Sequence, residues 1–191
     1  MALIPYADED PRDERVRAVL ARMPEPHINL FTMLANAPAL AGPVLRLGEA
    51  ILTKSDLDVV LRELAILHVA RVTGTEYEWV QHQEMARLAG VDEQKIRAVE
   101  RGEIADGRFE RRELLTLQLV GHLLEDGTPP AELVKDVESE LGRAQLIELL
   151  IITGFYAMLG GIMRAVRLDL DSVVEKGMLE YGQLGDGASG H

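Results

Sequence analysis

From Ser55 to Val72 the chain is apolar on nearly every side of a helix. Leu57, Leu61, Leu64 and His68 recur at three- and four-residue spacing, while Val59, Val60, Ile66, Leu67 and Ala70 form a second stripe with Glu63 set inside it. A helix with so little polar face belongs at the centre of a domain. Ser55 is its expected N-cap, Asp56 and Asp58 fill the first turn where the helix dipole favours acid, and Gly74 marks its end. Thr75-Glu76-Tyr77-Glu78 has the form of a capping box opening a helix that runs to Gly90. Further helical patterns cover Asp92 to Arg101, Glu110 to Glu125, Ala131 to Leu141 and Arg143 to about Val166. Upstream, a short helix is expected around Asp13 to Met23, then two short helices from Asn29 to Ala50 with breaks at Pro38 and Pro43. Alternating apolar and polar runs are scarce, so the fold class is all-α.

The pattern divides the chain into an N-terminal helical extension over 1–50, a helical domain over 51–181 and a flexible tail over 182–191, rich in Gly and small polar residues. Leu149 to Met163 is the longest apolar stretch; it falls short of the roughly 20 residues of a membrane span and reads as a buried helix. Arg62-Glu63-Leu64 and Arg112-Glu113-Leu114, each near the start of an apolar helix, hint at an internal duplication. Gly154, Gly160 and Gly161 read as positions of close backbone approach, and Tyr156 and Met158 as core or interface.

Composition narrows the chemistry. With Lys and Arg at 20 and Asp and Glu at 32, the formal charge is −12, which repels phosphate backbones and anionic bilayers, so neither nucleic acid nor a membrane is an expected partner. No basic start followed by an apolar run is visible at the N-terminus, and a cytoplasmic location is expected. Cysteine is absent, which removes disulfides, thiolate metal sites and thiol redox or nucleophilic mechanisms.

What remains is acid–base chemistry. Glu78 and His82 stand four apart, on one face of one helix, and the short turn at Thr73-Gly74 folds the Glu63 helix back against them. Two carboxylates and an imidazole then meet at a helix junction, with Thr75 and Tyr77 beside them as candidate substrate contacts. Each has a plainer reading: Glu78 and Thr75 as capping residues, Glu63 as a buried structural partner of an arginine such as Arg71, Trp79 as core or subunit interface. His68, His27 and His122 read as core histidines outside the site. Two Glu and one His also suit a divalent ion, but the Glu-x-x-His spacing of di-iron bundles is absent, so no metal and no cofactor is expected.

The stretch Leu-Arg-Glu-Leu-Ala-Ile-Leu from Leu61, followed by Thr-Gly-Thr-Glu-Tyr-Glu-Trp-Val-Gln-His and Ala-Arg-Leu-Ala-Gly-Val, resembles the carboxymuconolactone decarboxylase and alkylhydroperoxidase D superfamily. Its peroxidase branch carries Glu, eleven residues, then Cys-x-x-Cys-x-x-x-His; Glu63, Thr75, Glu78 and His82 hold those spacings with both cysteines replaced. The resemblance implies an AhpD-like helical domain and a homo-oligomer, a trimer or hexamer built from dimers. A thiol peroxidase needs the cysteines, so the implied activity is that of a cofactor-free lyase, a decarboxylase-like catalyst acting on a small carboxylated or lactone compound. In this reading His82 moves the proton and Glu78 or Glu63 orients it. The competing readings are a non-catalytic small-molecule-binding or scaffold protein and a Glu/His metal enzyme.

Overall fold

The computed structural model describes residues 1–7, 13–23, 27–105 and 107–171; the expected tail over 182–191 lies outside them. Eight helices and no strand occur among the described residues: α1 (Glu14–Leu20), α2 (Asn29–Leu34), α3 (Pro38–Thr53), α4 (Val59–Thr73), α5 (Glu76–Leu88), α6 (Glu93–Arg101), α7 (Arg111–Glu125) and α8 (Ala131–Val166). The described residues form two compact units, one within 1–54 together with 163–171 and one within 55–162.

In the first unit α1 and α2 pack on α3. Pro38 opens α3 and Pro43 sits inside it without breaking it. The lost N–H leaves only the carbonyl of Ala39 without its helical donor, and Ala39 is exposed, so water can take its place. The first residues meet the segment after α8 through Asp169, whose carboxylate binds the N-terminal ammonium at 2.8 Å, the Ala2 N–H at 2.9 Å and the Tyr6 hydroxyl at 3.1 Å. The Leu3 N–H donates to the carbonyl of Val166 at 2.8 Å.

The second unit is built round α4, against which α5, α6 and α7 all pack. Leu61 and every residue from Glu63 to Ala70 are buried, as the all-round apolar pattern requires. The start of α4 differs from expectation. Asp58, not Ser55, is the N-cap and accepts from the N–H groups of Val60 and Leu61. The Ser55 hydroxyl instead donates to Glu148 of α8 at 2.8 Å, and the N–H groups of Asp56 and Leu57 donate to the same carboxylate. Gly74, at φ 67°, caps the far end in the left-handed region.

α4 and α7 carry the repeated Arg-Glu-Leu and pack together, each burying its glutamate, but the partners differ. Glu113 takes both oxygens to Lys95 at 2.7 Å and reaches back to the Glu110 N–H at 2.8 Å, so the capping box of this unit opens α7. α8 is bent at Gly142 (φ 82°, ψ 165°), which is why its pattern reads as two helices. An 18-residue window of α8 has mean hydropathy 1.9 and is long and apolar enough to cross a bilayer; half of it is buried inside the structure.

Candidate active site

Three elements of the second unit converge on His82. α4 brings Glu63, α5 brings His82 itself with Glu78 one turn before it, and α8 brings Tyr156. Glu63 and His82 are each 1% exposed and Glu78 2%. The Nδ1 of His82 lies 2.9 Å from Oε2 of Glu63, and Oε1 of Glu63 accepts from Nε of Arg62 at 3.1 Å. Burying a carboxylate is costly unless charged or hydrogen-bonding partners surround it; the guanidinium and the imidazole supply both. The arginine is thus Arg62, not Arg71.

A carboxylate on Nδ1 selects the tautomer with its hydrogen on that nitrogen and leaves a lone pair on Nε2. That Nε2 is buried and has no hydrogen-bond partner among the described residues. Tyr156 packs edge-on to the imidazole, ring centroids 4.9 Å apart at 88°, and Phe155 meets Tyr156 in turn at 5.4 Å and 86°. Burial first, then the charges of Glu63 and Glu78, pushes the Tyr156 hydroxyl well above the usual phenol range, so it stays protonated.

Thr75 stands at the N-cap of α5 but makes no capping bond, so the expected Thr75–Glu78 capping box does not form. The Thr73 hydroxyl lies 2.8 Å from the Val69 carbonyl, to which it donates, and 2.8 Å from the Thr75 hydroxyl, which therefore donates to Thr73. Gly160 of α8 explains how the helices fit here. A Cβ at Gly160 would stand 2.6 Å from Oγ1 of Thr75 and 3.1 Å from Oε2 of Glu78, so only glycine lets α8 come this close. Gly154 and Gly161, expected to be equally crowded, have nothing within 4 Å of such a Cβ.

The structure therefore brings Glu63 and His82 into direct contact and seats Glu78 and Thr75 against the same stretch of α8. Tyr77 is buried on α5, but the phenol on the imidazole is Tyr156, which sequence reasoning read as core or interface. Its one signal is that Tyr156 and Gly160, four apart, share a helix face. Among the remaining histidines, His68 is buried, as expected of a core histidine, and its Nδ1 has no partner among the described residues. His122 is not core: its side chain is 40% exposed and bonds Asp126 at 2.7 Å. No group of three metal-ligating side chains assembles among the described residues.

Comparison with known proteins bears on the fold. Residues 38–117 match the model of the carboxymuconolactone decarboxylase family. The fold is similar to an alkylhydroperoxidase AhpD core, an uncharacterized peroxidase-related protein from Ralstonia eutropha, with TM-score 0.74 and 13% identity over 96% of both chains. It is also similar to a protein of unknown function from Agrobacterium tumefaciens, named for AhpD and antioxidant defence, with TM-score 0.61 and 16% identity over 91% of this chain and 100% of that one. No curated protein matches the chain. Over residues 38–117 the chain is thus similar to the carboxymuconolactone decarboxylase family, its fold is that of the two AhpD-like structures, and it carries no cysteine.

Proposed function

We propose that the protein is a cofactor-free acid–base catalyst that moves a proton at a carbon next to a carbonyl, on a small carboxylated or lactone compound. The observation that carries this reading is the His82–Glu63 pair: an imidazole oriented through Nδ1 at 2.9 Å, with a buried Nε2 that has no protein partner among the described residues. A carboxylate that orients the imidazole also stabilises the imidazolium formed when Nε2 takes a proton. If the substrate loses carbon dioxide, the electron pair of the broken C–C bond passes to the neighbouring carbonyl oxygen as an enolate. Nε2 takes the proton of the substrate's carboxylic acid as carbon dioxide leaves, and the imidazolium then returns that proton to carbon, restoring the neutral imidazole. With no cysteine in the chain, no thiolate is available to attack a peroxide. Substrate must reach Nε2 past the side chains that leave His82 1% exposed, so opening of this junction is part of the reading.

The test is proton exchange at carbon, followed by NMR in deuterium oxide with carboxylated γ-lactones and β-keto acids. The protein should speed exchange or decarboxylation of at least one of them, and His82→Gln should lower that rate by about 10²–10⁴-fold while thermal unfolding shows the variant folded. An unchanged rate in His82→Gln, or no catalysis across the series by the parent protein, overturns the reading.

A further inference from the structure

A cavity of about 290 Å³ opens beside the turn from α4 to α5, with Arg71, Gly74, Thr75, Glu76, Trp79 and Glu100 in its wall. His82 is not in its wall, and Thr75, which borders it, also faces Gly160 of α8. Its distinctive feature is Arg71. The other arginines of α4, α5 and α6 each meet a glutamate: Arg62 with Glu63, Arg87 with Glu84 and Glu93, Arg97 with Glu93 and Arg101 with Glu103. Arg71 meets none among the described residues, in a chain where acid exceeds base by 32 to 20.

Arg71 is nonetheless held in place. Its guanidinium lies over Gly102, so close that a Cβ there would stand 2.0 Å from Nη2 and 2.5 Å from Cζ. Gly102 is the left-handed cap of α6 at φ 74°, a position that already favours glycine, and the missing side chain gives the guanidinium its floor. An arginine held at a cavity wall and not spent on a carboxylate of the described residues offers a planar, two-pronged donor set. Across the turn Trp79 adds an indole surface, half-buried against the core.

We propose that this cavity binds a small monocarboxylate carried on a planar, apolar body, with Arg71 pairing to the carboxylate and Trp79 covering the body. The volume suits a one-ring acid and is at the small end of ligand pockets, too small for a nucleotide. Glu76 and Glu100 make the wall net negative, so an anion is held only by direct two-pronged pairing to Arg71, and each further negative charge, as on a dianion or a phosphate, is opposed. The site stands on its own geometry and holds whether or not His82 is catalytic.

Trp79 is the only tryptophan of the chain, so its fluorescence and its indole N–H resonance report on this cavity alone. The full-length protein is titrated with benzoate, phthalate, inorganic phosphate and benzylamine. Benzoate should shift the indole signals and saturate, phthalate and phosphate should bind at least about tenfold more weakly, and benzylamine should not saturate. Arg71→Gln should weaken benzoate about tenfold or more, the loss of one charge-assisted pair, and Arg71→Lys should weaken it less. Because Arg71 is exposed, both variants are expected to keep the parent's thermal unfolding midpoint. The proposal falls if benzoate does not saturate the indole signals, if Arg71→Gln binds it as the parent does, or if benzylamine is preferred.

Discussion

Buried histidines in this protein have two fates, and the difference is one partner. His82 is oriented by Glu63; His68, on the same core helix as Glu63, has its Nδ1 buried with no partner among the described residues. Burial, then the nearby charge of Arg71, holds the His68 ring down to about 4 from an ordinary 6.5. The sign follows from which state takes the proton first. As pH falls through 6.5 the unfolded chain binds it and the folded chain does not, so stability drops until about pH 4, where the folded ring is protonated too and the loss levels off. A shift of that size is worth about 3 kcal/mol at most. Urea unfolding at neutral pH and near pH 4 should therefore show the parent protein losing more stability than His68→Leu. Equal losses would mean that His68 titrates normally in the folded chain.

At the scale of elements, glycines that look alike in the sequence of α8 should respond in opposite directions. Gly160→Ala forces a methyl to 2.6 Å from the Thr75 hydroxyl and 3.1 Å from the Glu78 carboxylate, at a buried junction, and should cost about 1–3 kcal/mol. Gly154→Ala and Gly161→Ala meet nothing within 4 Å and should gain about 0.5–1 kcal/mol from helix propensity. Thermal denaturation of the three variants measures both signs.

The same contrast explains what was legible in the sequence. Helix identity was, because 3.6-residue periodicity and the Gly74 and Gly90 ends are local signals. The meeting of Glu63 with His82 was also legible, through a short turn and a four-residue spacing. Caps were less so: Ser55 and Thr75 have the right side chains, but Ser55 is drawn away by Glu148, 93 residues along, and Thr75 by Thr73. Tyr156 and the cradle of Gly160 depend on how α8 crosses α5, which no periodicity encodes.

At the scale of the whole molecule, the surface of the second unit carries a feature its charge does not lead one to expect. Ile147, Ile151 and Met158 recur at four and seven residues along α8, on one side of the helix, and are 54%, 45% and 44% exposed. The buried face of α8 is occupied by Leu149, Ile152, Tyr156 and Leu159, so this outer stripe is additional to the core. We propose that a second copy of the chain covers it. An apolar stripe on a protein of net charge −12 is costly to leave in water, and pairing identical stripes about a two-fold axis removes both at once while the acidic remainder limits further association. Light scattering should then give a mass of at least two chains, and Ile151→Glu, which puts like charges face to face at the two-fold, should reduce it to one with little change in the helical signal. A monomeric parent, or an assembly indifferent to Ile151→Glu, would leave the stripe without the partner argued for it.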